Sequence, residues 1–136
     1  MRDKYFIDSN ILIYAHTLQD ERKKQIAQDI LSLEQEILIN TQVVNESINV
    51  FIKQFKIPFD DIQKILSEIL LYLPIRIISS KTIQLGLDIH KKYQYSYYDS
   101  LIIAGALENN CSVLYSEDLQ DNQKIKDNLT ILNPFI

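Results

Sequence analysis

The chain has 136 residues, 46% of them apolar and 24% charged, with two Gly and three Pro. That apolar supply builds the core of one domain and excludes a disordered chain, and no apolar run reaches the roughly 18–20 residues of a membrane span. Fourteen basic against eighteen acidic side chains give a net charge of −4, so no global basic field advertises nucleic acid, and a single cysteine, Cys111, excludes an internal disulfide or a cysteine-rich zinc site.

The first residues, Met1-Arg2-Asp3, lack the long apolar stretch of a secretion signal, and the expected setting is cytoplasmic. Twenty-three Ile against four Ala is a chain-wide bias, so Ile alone is weak evidence for a strand.

Tyr5-Phe6-Ile7 is a continuous apolar run, as expected of a strand buried on both faces of a parallel sheet. It leads into Asp8-Ser9-Asn10, and 9–17 and 20–33 read as two helices around Leu18-Gln19-Asp20. Ile37-Leu38-Ile39 repeats the strand type. In 41–56, Val44, Ile48, Phe51, Ile52 and Phe55 share one helical face. Residues 60–73 carry Ile62, Ile65, Leu66, Ile69, Leu70 and Leu73 before Pro74 stops the helix. With Leu71 and Tyr72 added, this helix has more apolar surface than one core-facing stripe needs. It is expected either to be wedged between neighbours or to meet another chain. Ile75-Arg76-Ile77-Ile78 reads as a third strand, 81–94 and 97–109 as helices, and Val113-Leu114-Tyr115 and Ile131-Leu132 as the last strands.

Short strands separated by helices predict an α/β fold. The expectation is one domain over 1–136, a three-layer α/β/α sandwich on a mostly parallel sheet of about five strands. In such sheets ligands bind beyond the carboxyl ends of the strands.

Four acids stand out. Asp8 follows the first strand, and Asp118 follows the fourth in Ser116-Glu117-Asp118. Glu46 lies early in the 41–56 helix, and Asp99 opens a helix that is apolar all round, Leu101-Ile102-Ile103-Ala104-Gly105-Ala106-Leu107. Each has an ordinary explanation: a helix N-cap for Asp8, a first-turn carboxylate capped by Ser96 for Asp99, a turn cap for Asp118. Glu46 sits opposite the apolar stripe of its helix, which favours a solvated acid.

Taken together, the layout resembles the PIN domain family, and within it the VapC-type toxins of toxin–antitoxin pairs. The resemblance rests on Phe6-Ile7-Asp8-Ser9-Asn10-Ile11-Leu12-Ile13, Thr41-Gln42-Val43-Val44-Asn45-Glu46, Tyr97-Tyr98-Asp99-Ser100-Leu101-Ile102 with Ala104-Gly105-Ala106, Leu114-Tyr115-Ser116-Glu117-Asp118-Leu119-Gln120, and the closing Leu132-Asn133-Pro134-Phe135. It covers essentially the whole chain. It implies a parallel sheet and a metal-dependent ribonuclease with Asp8, Glu46, Asp99 and Asp118 as its acidic cluster. It also implies an RNA substrate, a homodimer, and a small antitoxin that silences the enzyme. Relatives often carry Thr where this chain has Ser9 and Ser116, and many have a glycine-containing loop where it has Leu119-Gln120-Asp121-Asn122. Asp121 is therefore a loop acid in water or an additional ligand.

Carboxylate oxygens select Mg²⁺ or Mn²⁺ rather than zinc. Without these four acids the chain has fourteen side chains of each sign, so two divalent ions would bring it to about neutrality. Such a site suits phosphodiester hydrolysis. Asp8 and Asp99 are expected as primary ligands and Glu46 and Asp118 as completing the shell, with Ser9, Asn10 and Ser116 holding those carboxylates or a phosphate. His16 and His90 have no second ligand at metal spacing and read as a helix-end and a polar-face residue. Arg22-Lys23-Lys24, Lys53/Lys56 and Lys91-Lys92 are candidate phosphate contacts, and the tyrosines of 93–98 are candidate stacking rings or packing groups. Two other classes compete: a non-catalytic PIN-like binding module, and an RNA-processing nuclease that is not a toxin. An aspartyl-phosphate phosphotransferase would need an acid where Asn10 stands.

Overall fold

The computed structural model describes residues 3–136; Met1 and Arg2, on which the reading of the leader partly rests, lie outside it. Along the chain run β1 (Lys4–Ile7), α1 (Ser9–His16), α2 (Glu21–Leu31), β2 (Glu36–Asn40), α3 (Thr41–Lys53) and α4 (Phe59–Tyr72). They are followed by β3 (Ile75–Arg76), α5 (Ser80–Tyr93), α6 (Tyr97–Glu108), β4 (Val113–Tyr115), β5 (Lys124–Ile125) and β6 (Leu129–Leu132). No helix among the described residues is long and apolar enough to cross a membrane.

The strands form one sheet in the order β3-β2-β1-β4-β6-β5. All neighbours are parallel except β5, which runs antiparallel to β6. The α/β sandwich expected from the sequence is the fold observed. Parallel crossovers are right-handed, so the outward run β1–β2–β3 and the return to β4 put their helices on opposite faces of the sheet. Chain direction across the sheet reverses between β1 and β4. That is the switch point at which open α/β sheets leave a crevice beyond the strand ends.

The apolar runs are buried as the parallel-strand reading requires. Phe6, Ile7, Leu38, Ile39, Leu114 and Ile131 are all 0% exposed. Helix α6 is central: Leu101 through Ala106 are buried, so it is apolar around its whole circumference because it has no solvent face. One close approach inside this core decides a residue type. A Cβ on Gly105 would stand 2.4 Å from Asn40 Nδ2 and 2.9 Å from Phe6 Cζ. Asn40, 1% exposed, accepts from Val43 N to cap α3 (3.2 Å) and donates to the Leu101 carbonyl (3.3 Å). Gly105 thus lets α6 approach the junction of β2 and α3.

Three expectations are adjusted. The third strand is two residues rather than four, because Ile78 N donates to Thr41 Oγ1 instead of to a neighbouring strand and Ile77 is 78% exposed. A sixth strand, β5, lies in a polar stretch with no apolar run to announce it. Helix α4 is not wedged between neighbours: Ile69 is its one buried residue, while Leu70, Leu71 and Tyr72 are exposed. Cys111 is buried and free, and burial pushes its thiol up to about 12.

Candidate active site

Asp8 stands where β1 ends and α1 begins. Its main chain remains in the sheet, Asp8 N donating to the Tyr115 carbonyl at 3.0 Å, so the carboxyl ends of β1 and β4 are tied together. Its side chain caps α1. Oδ1 accepts from Ser9 N at 2.7 Å and from the Ser9 hydroxyl at 3.4 Å, and Oδ2 accepts from the Ser116 hydroxyl at 2.7 Å. Asp8 is the helix cap its position suggested, and it is buried at 3% exposure with no cation paired to it among the described residues.

The other acids are oriented by similar neutral donors. Glu46 is half-buried rather than turned to solvent. Its Oε2 accepts from the Ser9 hydroxyl at 3.3 Å and its Oε1 from Gln42 Nε2 at 2.8 Å, one turn earlier on α3. Asp118 is exposed; Asn10 Nδ2 donates to its Oδ2 at 3.3 Å, and its own N–H donates to Ser116 Oγ at 3.2 Å. Asn10 also accepts from Glu117 N at 3.3 Å, so one buried amide fixes the turn after β4. Asp99 lies in the first turn of α6, its N–H bonded to Ser96 Oγ at 3.2 Å. Ser9, Asn10 and Ser116 all bond to these carboxylates.

The four acids sense one another. Burial pushes Asp8 up to about 7, hydrogen bonds from Ser116 and Ser9 work against this, and Glu46 and Asp99 add to the rise. Burial also raises Glu46, with Asp99 and Asp118 contributing. Asp99 is raised by burial and by Asp118, against its bond to Ser96. No Lys or Arg is paired with any of the four among the described residues. A charge cluster held without a counter-ion favours binding of a cation or uptake of protons.

The donor chemistry fits a hard divalent ion: carboxylate oxygens, net negative, oriented by hydroxyls and amides that compete weakly for them. As placed, no three His, Cys, Asp or Glu side chains among the described residues stand close enough to hold one ion between them.

Several other candidates serve the fold. Asp121 accepts from Asn133 N at 2.8 Å and from Asn122 Nδ2 at 3.0 Å, which makes it a staple for the chain's last turn. Arg22 Nη2 donates to the Phe135 carbonyl at 2.7 Å, and Lys23 pairs with Glu117 beside the Tyr14 hydroxyl, so two of this spot's three cations are engaged within the fold. Tyr93 and Tyr95 hydroxyls accept from Lys126 N and Gln120 N, pinning the chain on either side of β5. Tyr97 and Tyr98 pack on each other with centroids 5.9 Å apart, Tyr98 exposed. His16 ends α1, its Nδ1 2.8 Å from the Leu12 carbonyl, and His90 is exposed. Gln42 went unrecognised in the sequence, although its position four residues before Glu46 on one helix face is the spacing that finds it.

The PIN domain family model matches residues 5–125. No match was found among curated proteins. Among solved structures, a toxin–antitoxin complex from Klebsiella pneumoniae is similar at TM-score 0.70 and 19% identity, over 96% of this chain and 97% of that one. VapC20 of Mycobacterium tuberculosis, a sarcin–ricin loop cleaving toxin, is similar at TM-score 0.70 and 12% identity, over 84% and 91%. VapBC2 from Rickettsia felis, bound to a DNA fragment from its promoter, is similar at TM-score 0.69 and 18% identity, over 96% and 99%. These likenesses carry the fold. The family model carries more, because it runs from β1 into β5 and takes in all four acids: the chain belongs to the PIN domain family.

Proposed function

We propose that this chain is a Mg²⁺- or Mn²⁺-dependent endoribonuclease, the toxin of a toxin–antitoxin pair. One observation carries the reading: four acids at the switch-point end of a PIN-family sheet lie within electrostatic reach of one another, oriented by neutral donors and with no cation paired to them among the described residues. Toxin–antitoxin complexes among the similar structures support the partner. A sarcin–ricin loop cleaving toxin among them supports RNA as substrate.

Asp8 and Asp99 would hold the ion directly, and Glu46 and Asp118 would complete its surroundings directly or through water. When bound, the ion supplies an activated water and offsets charge developing on the phosphate in the transition state. Ser116 and the Ser9 N–H keep both Asp8 oxygens in fixed directions. Glu46, held from one side by Gln42 and from the other by Ser9, would orient the attacking water and take its proton. Asn10 holds Asp118 at the rim.

The exposed apolar side chains of α4 support a protein partner, with a second copy of the chain and an antitoxin as the two occupants. An antitoxin Arg or Lys set against the acids would compete with the metal electrostatically. Light scattering at tens of micromolar tests the dimer, and a monomer there rejects it.

The activity test is cleavage of single-stranded and structured RNA by metal-stripped protein with Mn²⁺ restored. Asp8→Asn, which keeps a capping side chain, and Asp99→Asn should each lose at least ~100-fold in rate. Cleavage that persists in a chelator, or in purified Asp8→Asn, rejects the mechanism.

A further inference from the structure

Beside the acids lies a cleft that the metal reading does not use. It has a volume of about 160 Å³, well below the ~300–1,000 Å³ of sites for larger ligands, and its rim includes Asn10 and Asp118. It runs from the acidic cluster between α1 and the end of α3. Its far end is formed by Gln19, Gln54 and Phe55.

Three features suit a planar, neutral, hydrogen-bonding ring. Phe55 is half-buried and held by its main chain: Phe55 N donates to the Val50 carbonyl at 3.2 Å, and Ile57 N donates to the carbonyl of fully buried Phe51 at 3.0 Å. Gln19 and Gln54 are exposed, and neither side-chain amide is bonded to another described residue, so each presents a donor and an acceptor in one plane. Glu117, on the wall, is already engaged by Lys23 and the Tyr14 hydroxyl, which leaves the uncompensated carboxylate of Asp118 at the rim, toward the acids, and a neutral polar surface at the far end. Among the described residues, a phosphate would meet no unpaired cation there. The distance along α3 also fits: from Glu46 to Gln54 is about two turns, roughly 12 Å, comparable to the reach from a phosphate at the acids across a ribose to the far edge of its base.

We propose that this cleft is a nucleobase subsite, with Phe55 as the stacking face and Gln54 and Gln19 as readers of the base edge. It rests on the ribonuclease reading and adds its specificity: one base flanking the scissile phosphate is selected, by the amide chemistry that suits Gln to a base edge. A side chain of a protein partner is the competing occupant.

Two measurements test it. The first sequences the ends left when the chain cleaves a random-sequence RNA pool with Mn²⁺. Gln54→Ala and Gln19→Ala should flatten the base preference at one position beside the cut by about tenfold, with preferences at other positions as the internal standard. The second needs no cleavage: the Asp99→Asn chain is titrated with short single-stranded RNAs. Adding Phe55→Leu should weaken binding about tenfold, and adding Phe55→Tyr should restore it. An unaltered base profile in both Gln variants, or equal RNA affinity for Phe55→Leu and Phe55, overturns the subsite. Loss of antitoxin binding in these variants with the base profile intact assigns the cleft to the partner instead. If the unaltered chain does not cleave at all, the ribonuclease reading falls, and the RNA titration then decides the subsite alone.

Discussion

Glu117 and Asp118 are consecutive residues on the turn after β4, yet their electrostatic surroundings are opposite. Glu117 has Lys23 against one oxygen and the Tyr14 hydroxyl 2.6 Å from the other, with the Lys23 ammonium also 5.0 Å from the Tyr14 ring centroid. Asp118 has a single amide, Asn10, and faces two other acids. The difference teaches how to recognise a site in an acidic protein. A carboxylate provided with a cation by its own chain is part of the fold. A carboxylate given only hydroxyls and amides to orient it, alongside others in the same condition, is a candidate for binding a ligand.

If that contrast is real, the largest effect should come from protons. Asp8 titrates near 7 in the fold against an ordinary 3.8, so the folded chain holds this proton more tightly than the unfolded one. The resulting stability is complete below about pH 4 and is lost as pH rises through about 7, with a ceiling of roughly 4 kcal/mol. Glu46 and Asp99 are raised too and act in the same direction. Metal-free protein should therefore melt at a lower temperature at pH 8 than at pH 5, and Asp8→Asn should flatten the profile. Equal slopes for both proteins in calorimetry would show that Asp8 carries no such strain.

The next effect is metal linkage. Mn²⁺ at about 100 times its Kd should stabilise the chain by about 2.7 kcal/mol, a rise in melting temperature on the order of 10 °C. The rise should grow with pH as protons leave the acids. It should vanish in Asp8→Asn/Asp99→Asn, and an undiminished rise there would place the metal elsewhere. A smaller change comes from Gly105→Ala, whose Cβ would press on buried Asn40 and Phe6, both tied into the sheet. Overpacking of this kind costs about 1–3 kcal/mol. Because α6 and α3 carry Asp99 and Glu46, thermal denaturation should also reveal a weakened Mn²⁺ response. The smallest effect belongs to the compensated acid. Lys23→Met should lower the melting temperature slightly and keep the full Mn²⁺ shift; if it abolishes the shift, Glu117 belongs to the metal site and the contrast collapses.

The sequence made the sheet legible where strands were buried on both faces, since Phe6-Ile7 and Leu38-Ile39 have no polar alternation to confuse the pattern. It made Asp8 legible because a strand end is a position with a rule attached. Glu46 was different. Helical periodicity placed it opposite the apolar stripe and suggested water, and the resemblance to a known family alone put it with the other acids. Periodicity reports which face meets the core. It does not report that a second helix, α1, brings Ser9 over the polar face to 3.3 Å from Glu46. The same limit hid β5, a two-residue edge strand whose one core side chain is Ile125 and whose flanks, at Gln120 and Lys126, are held by the hydroxyls of Tyr95 and Tyr93. Long-range side-chain bonds leave no local pattern.

One of those bonds sets a timetable. The Ser116 hydroxyl that orients Asp8 comes from 108 residues farther along the chain, and Asp118 from farther still. During synthesis, a ribosome that has made everything through α5 has already released Asp8 and Glu46 and has built no site. Their partners on α6 and after β4 emerge last, and β1 can acquire its second neighbour only then. A chain assembled in this order holds Asp8 without its Ser116 partner for most of its time on the ribosome, and an early stop before β4 leaves that carboxylate without the hydroxyl that orients it.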